Sequence, residues 1–220
     1  MTSLNGGLFE GRALTCIRGE RLVFANLDFA LSPGGALVLT GPNGSGKSSL
    51  LRLMTGLLKP AAGELLWNGV PVAKEPEAHH ARLHYLSHLD AVKPVLSALE
   101  NLTFWAALHG GSASDAEAAL ERLGLAHLAE VPGRMLSAGQ KRRLALARVL
   151  SAPAELWLLD EPTVGLDRDS VARLDNAIAA HREAGGRLVV ATHIALDLPD
   201  ATNLAIEDFT RDLDAMEILP

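Results

Sequence analysis

Residues 41–48 read Gly-Pro-Asn-Gly-Ser-Gly-Lys-Ser. Three glycines let a backbone wrap closely around phosphate oxygens, and the amides at the start of a following helix point at the anion. Such a loop needs a strand before it and a helix after it. Ala36–Thr40 reads as a buried strand, and Ser48–Thr55, stopped by Gly56, reads as the helix. The expected phosphate contacts are Gly41, Pro42, Asn43, Gly44, Ser45, Gly46, Lys47, Ser48 and Ser49. Lys47 is expected to reach the β- and γ-phosphates of a nucleotide, and the Ser48 hydroxyl to hold Mg²⁺.

A second chemical motif lies at Leu156-Trp157-Leu158-Leu159-Asp160-Glu161. Four apolar residues followed by two carboxylates describe a buried parallel strand carrying charge at its C-terminal end, where open α/β sheets bind ligands. Asp160 is expected to hold Mg²⁺ through water, and Glu161 to orient or deprotonate an attacking water.

Between these two motifs, Leu136-Ser137-Ala138-Gly139-Gln140 precedes the helical run Lys141–Leu150. Ser137 and Gly139 at a helix start form a second candidate anion site. Here the sequence resembles the ATP-binding cassette family, whose signature is Leu-Ser-Gly-Gly-Gln, and the motif order agrees along nearly the whole chain. The resemblance implies a head-to-tail homodimer in which Ser137, Gly139 and Gln140 of one subunit close over the nucleotide held by Lys47 of the other. It also implies that Val164-Gly165-Leu166-Asp167 is a loop communicating across the dimer, with Asp167 near nucleotide. His193, after the apolar strand Leu188–Thr192, looks like the switch histidine that contacts the γ-phosphate.

Two positions depart from that family. Where most cassettes carry a linker glutamine, this chain has His88, whose imidazole can donate or accept a hydrogen bond. The aromatic residue that usually stacks on adenine falls near Ile17-Arg18, so Arg18 is the candidate stacking group. Leu14–Arg21, Tyr85–His88, Leu99–Leu102 and the Leu-Ser-Ala-Gly-Gln-Lys-Arg-Arg run together look like the ATP-binding subunits of cytochrome c maturation heme exporters. That resemblance implies integral membrane subunits as partners, a place on the cytoplasmic face of the bacterial inner membrane, and hydrolysis linked to release of a heme-loaded chaperone. Another exporter's ATPase or a soluble mechanochemical cassette would share the core motifs. A nucleotide kinase would lack residues 136–140.

The elements that must position these groups read as one α/β domain of 220 residues. The fold expected is a phosphate-loop nucleotide-binding core with an antiparallel β portion and an inserted helical subdomain. Residues 12–89 and 136–210 form the expected core, with 12–72 mostly antiparallel and Asn68-Gly69 as a hairpin turn. Residues 90–135 form the expected helical subdomain, its helices started by Ser97 with Glu100 and Ser114 with Glu117, and the second ended by Gly124. Gly185-Gly186 is expected to stop a helix before the last core strand.

Net charge is −6, which recommends no nucleic-acid surface. One cysteine, Cys16, excludes a disulfide framework. No signal peptide is legible and the longest apolar runs fall short of the ~20 residues that span a bilayer, so a membrane role is expected to come through a partner. His79, His80, His84 and His88 invite a metal or heme reading. A strand over Leu83–Leu86 would send alternate residues to opposite faces, so the expectation is a solvated turn plus one linker histidine. Trp105, with Phe104 and Leu108, is read as core, the alternative being an aromatic that faces the membrane partner.

Overall fold

A computed structural model of the protein describes residues 7–193 and 198–210. The elements run β1 (Phe9–Arg18), β2 (Arg21–Leu31), β3 (Ala36–Thr40), α1 (Lys47–Met54), β4 (Ala62–Trp67) and β5 (Val70–Pro71). Next come α2 (Pro76–Ala81), β6 (Leu83–Leu86), α3 (Ala98–Leu108), α4 (Ala113–Arg122) and α5 (Ala138–Leu150). The chain continues through β7 (Leu156–Asp160), α6 (Arg168–Glu183), β8 (Arg187–Ala191) and β9 (Thr202–Ala205).

Two sheets carry the fold. One is antiparallel, in the order β2-β1-β4-β5, and the other has the order β6-β7-β8-β3-β9. Every pairing in the second sheet is parallel. Its central strands are apolar apart from Thr40, Asp160 and Arg187 at their ends, because both faces are covered. Leu37, Leu39, Leu156, Leu158, Val189 and Ala191 face one way, onto α1 and the antiparallel sheet. Ala36, Trp157, Leu159, Leu188 and Val190 face the other way, onto α3, α4, α5 and α6. Each fully buried leucine of this kind contributes roughly 1.5–3 kcal/mol.

Local chemistry fixes the helix ends. Capping boxes start α3 (Ser97 with Glu100) and α5 (Ser137 with Gln140), and the Asp167 carboxylate caps α6. The box at α4 is Ser112 with Asp115, not Ser114 with Glu117: the same three-residue spacing closes two residues earlier, where the Ser112 amide donates to the Asp115 carboxylate at 2.8 Å. Gly124, at φ +68, follows α4 as expected. The hairpin at Asn68-Gly69 forms, pairing Trp67 with Val70. The antiparallel sheet begins at Phe9, ahead of the expected start. β8 is not the last strand of the core: β9 pairs beyond it, along β3.

The histidine expectation needs correcting. His79 is wholly buried, its Nε2 bonded to the Met54 carbonyl at 2.8 Å. His84 is buried too, with Nε2 3.1 Å from the Ala152 carbonyl. Each satisfies a backbone acceptor that would otherwise lie unpaired inside the core, and burial pushes both imidazoles down to about 4. Of these four, only His80 and His88 are exposed. Trp105 is half-buried with the Arg148 guanidinium 4.8 Å from its ring centre, while Phe104 and Leu108 are exposed, so this is not core. Residues 213–220, whose role the sequence leaves open, lie outside the described residues.

Candidate functional site

The site gathers at the C-terminal ends of three neighbouring parallel strands. After β3 the chain turns through Gly41–Gly46 into α1. Gly46 sits at φ +111, and a Cβ there would meet Val23 Cγ1 at 2.5 Å, so only glycine fits. It leaves α1 without a side-chain cap. The Lys47 ammonium folds over the loop, donating to the carbonyls of Gly41 (2.6 Å) and Pro42 (3.0 Å). The Ser45 hydroxyl is buried and has no hydrogen-bond partner among the described residues.

Asp160, 4% exposed, ends β7, and Glu161 follows it in the left-handed region at φ +48. The Glu161 amide donates to the Ala191 carbonyl at 2.8 Å. Its carboxylate lies 2.8 Å from His193 Nδ1, just beyond β8. Thus two adjacent strands bring together a carboxylate and an imidazole that are 32 positions apart in sequence.

One cleft of about 650 Å³ joins these groups. Asn43, Gly44, Gly46, Lys47, Ser48 and Ser49 line one side, and Asp160, Glu161 and His193 another. Arg18 and His88 also line it. Ser48 and Asp160 bring hydroxyl and carboxylate oxygens, the hard donors that suit Mg²⁺, to the same cleft.

Ser137, Gly139, Gln140 and Asp167 are not among the lining residues. Ser137 Oγ accepts from the Gln140 amide at 3.3 Å while the Gln140 side chain accepts from the Ser137 amide at 2.8 Å. Asp167 accepts from the Ser170 amide at 2.8 Å; the Ser170 hydroxyl first and this amide second hold its carboxyl below the usual range. A Cβ on Gly139 would lie 3.3 Å from the Gly165 carbonyl, so the signature helix and the loop after Glu161 touch.

Sequence reasoning missed three residues here. Arg21 and Val23 line the cleft. Arg21 pairs with Arg18 across the β1–β2 turn, a partnership that hairpin analysis of Gly19-Glu20 could have found. Arg142 is buried on α5 and donates to the carbonyls of both Asp160 and Glu161. Its signal was a charged residue on the stripe that Leu146 and Val149 also occupy.

A larger cleft, about 840 Å³, opens at the other end of β7, beside Trp67, Glu155, Trp157 and His181. It holds none of the expected site residues. Trp157 and His181 stack there at 3.9 Å, and burial pushes His181 down to about 4.

The family model for ABC transporters matches residues 24–164, which contain both the phosphate loop and the Asp160–Glu161 pair. The chain belongs to the ABC transporter family. It is an ABC-type ATPase. A cytochrome c biogenesis ATP-binding export protein, CcmA, of Rhodospirillum rubrum is 59% identical over 93% of this chain and 88% of its own length. The protein of the same name in Brucella melitensis is 44% identical over 93% and 94%. An ATP-binding ABC transporter protein from Pyrococcus furiosus superposes with a TM-score of 0.80 at 27% identity, over 92% of this chain and 98% of its own. A dimeric ATP-binding cassette bound to ADP and phosphate in a post-hydrolysis state gives 0.75 at 25% identity, over 84% and 88%. No described helix of this ABC ATPase is long and apolar enough to cross a membrane. Its place in an ABC complex therefore implies membrane-spanning partners.

Proposed function

We propose that this ABC ATPase powers a cytochrome c biogenesis export complex on the cytoplasmic face of a bacterial inner membrane, where its hydrolysis drives release of a heme-loaded chaperone. The observation that carries the hydrolytic part is the meeting of Lys47, Asp160, Glu161 and His193 in one cleft. The likeness to CcmA from Rhodospirillum rubrum supports the choice of complex.

In this reading the Gly41–Gly46 amides and Lys47 hold the β- and γ-phosphates. Ser48 and Asp160 would hold Mg²⁺, which supplies charge neutralisation on the phosphate oxygens. Glu161 accepts a hydrogen bond from the attacking water or takes its proton, and its bond to His193 keeps the carboxylate and the γ-phosphate sensor in one arrangement. Arg18 stacks on adenine, with His88 standing where a linker glutamine would sense the γ-phosphate. Ser137, Gly139, Gln140 and Asp167 act across a head-to-tail dimer, on the partner subunit's nucleotide. Residues 12–89 and 136–210 then form the core, and 90–135 the helical subdomain that faces the membrane subunits. Leu89, Val95, Phe104, Leu108 and Met135, all exposed, lie in or beside that segment and supply apolar surface for docking.

Tagged Glu161→Gln protein, purified with ATP from membranes in mild detergent, tests the proposal. Small multi-spanning subunits and a heme-carrying chaperone are expected to co-purify. A different permease would discard the heme assignment and keep the ATPase mechanism. A protein recovered with no membrane partner would favour a soluble mechanochemical role.

A further inference from the structure

Arg142 lies on the buried stripe of α5 and is only 6% exposed, a position where an unmatched guanidinium would be costly. Oxygens from two other segments match its Nη1 and Nη2, while Nε has no partner among the described residues. Nη2 donates to the carbonyls of Asp160 (2.9 Å) and Glu161 (2.6 Å), at the end of β7. Nη1 donates to the Ser87 carbonyl (3.2 Å) and the Asp90 carboxylate (3.0 Å), which flank His88 in the linker. A planar fork can serve both pairs at once; a lysine ammonium, a single point donor, cannot.

What the fork holds is unusual backbone. Glu161 adopts φ +48 immediately before Pro162, a conformation that persists in a residue with a side chain only where its surroundings over-determine it. Two contacts do so: the Glu161 amide is pinned to Ala191, and its carbonyl is held by Arg142. Together they set the direction in which the carboxylate leaves the main chain toward His193.

We propose that Arg142 is a positioning residue for ATP hydrolysis: it fixes the Asp160–Glu161 backbone, aims the Glu161 carboxylate, and ties that aim to the linker around His88. The proposal rests on the reading of Glu161 as the carboxylate that handles the attacking water. Arg142 does not line the ATP cleft, so its effect belongs in turnover and not in ATP binding.

The test compares Arg142→Lys, Asp90→Asn and Glu161→Gln in the full-length protein within its membrane complex. MgATP serves for turnover and a fluorescent ATP analogue for affinity. Arg142→Lys is expected to lower kcat by roughly 10–100-fold, the scale on which a misplacement of about 1 Å acts, with KM and analogue affinity within about twofold. Asp90→Asn loosens only the linker arm and is expected to lower kcat by a smaller factor.

The deciding readout is the slow residual turnover of Glu161→Gln, followed as a single turnover. Adding Arg142→Lys to it should change that rate by less than about twofold, because no carboxylate is left to aim. A merely structural arginine would lower both backgrounds by the same factor, and that result overturns the proposal. Unchanged kcat in Arg142→Lys, or equal loss of kcat and analogue affinity, overturns it as well. Should Arg142→Lys fail to fold, Asp90→Asn in the two backgrounds carries the same comparison. Normal turnover by Glu161→Gln would remove the Glu161 reading itself. An inactive Glu161→Gln beside a fully active Arg142→Lys removes only the role of Arg142.

Discussion

Two helix starts in this chain carry the residue types of an anion site, and they are built in opposite ways. At α1, Gly46 offers no side-chain cap, so the first-turn amides, Lys47 and Ser48 are left to the cleft. At α5, Ser137 and Gln140 satisfy each other's amides in a closed reciprocal pair, away from that cleft. The first start is ready for phosphate within one chain. The second is complete as a helix cap and gains a phosphate only if a second copy brings one and competes with Gln140. A binding start is thus recognised by the cap it lacks as much as by the glycines it contains.

The largest effect that would break this contrast is at α1. Lys47→Ala removes a charge-assisted contact worth about 1.5–3 kcal/mol, so ATP affinity and turnover should fall together by ~10–100-fold. Titration calorimetry checks the affinity; ATP binding at wild-type strength would show that α1 is not the phosphate site.

The effect at α5 should be smaller and divided. Ser137→Ala is expected to cost about 1 kcal/mol of stability through the lost cap. Turnover of the dimer should drop about tenfold, while ATP affinity of the monomer stays unchanged. Affinity measured below and above the dimerisation concentration separates the two, and an equal loss at both would place Ser137 in the same-chain site.

Acid should weaken the frame that holds the ATP contacts. His79, His84 and His181 are pushed down to about 4 in the folded protein, against about 6.5 unfolded. Their neutral burial therefore contributes fully above pH 6.5, and the contribution is lost as pH falls from 6.5 towards 4. By pH 5 each costs at most about 2 kcal/mol. A thermal melting series over that range should decline steadily, and a flat series would show that these histidines are not buried neutral.

The sequence made the phosphate-loop half of the site legible because its chemistry is local: strand, loop and helix are contiguous from Ala36 to Met54. Asp160 and Glu161 were legible for the same reason, as the end of one apolar strand. Harder to see was anything that depends on strand order. The Glu161–His193 contact exists because β7 and β8 are neighbours, and Arg142 reaches Glu161 only through helix packing. The buried histidines were misread because polarity suggested solvent, whereas each meets a backbone carbonyl in the core. β9 was missed because its run of four residues has just one buried side chain, Leu204, and its partner β3 lies far back in the chain.

The Lys47 ammonium, clasped by the Gly41 and Pro42 carbonyls, has a kinetic consequence. A loop already ordered around its own lysine has no slow folding step to complete when nucleotide arrives. Association should then be a single exponential, linear in ATP concentration and free of a plateau. Discrimination between triphosphate and diphosphate would appear almost wholly in how long each one stays.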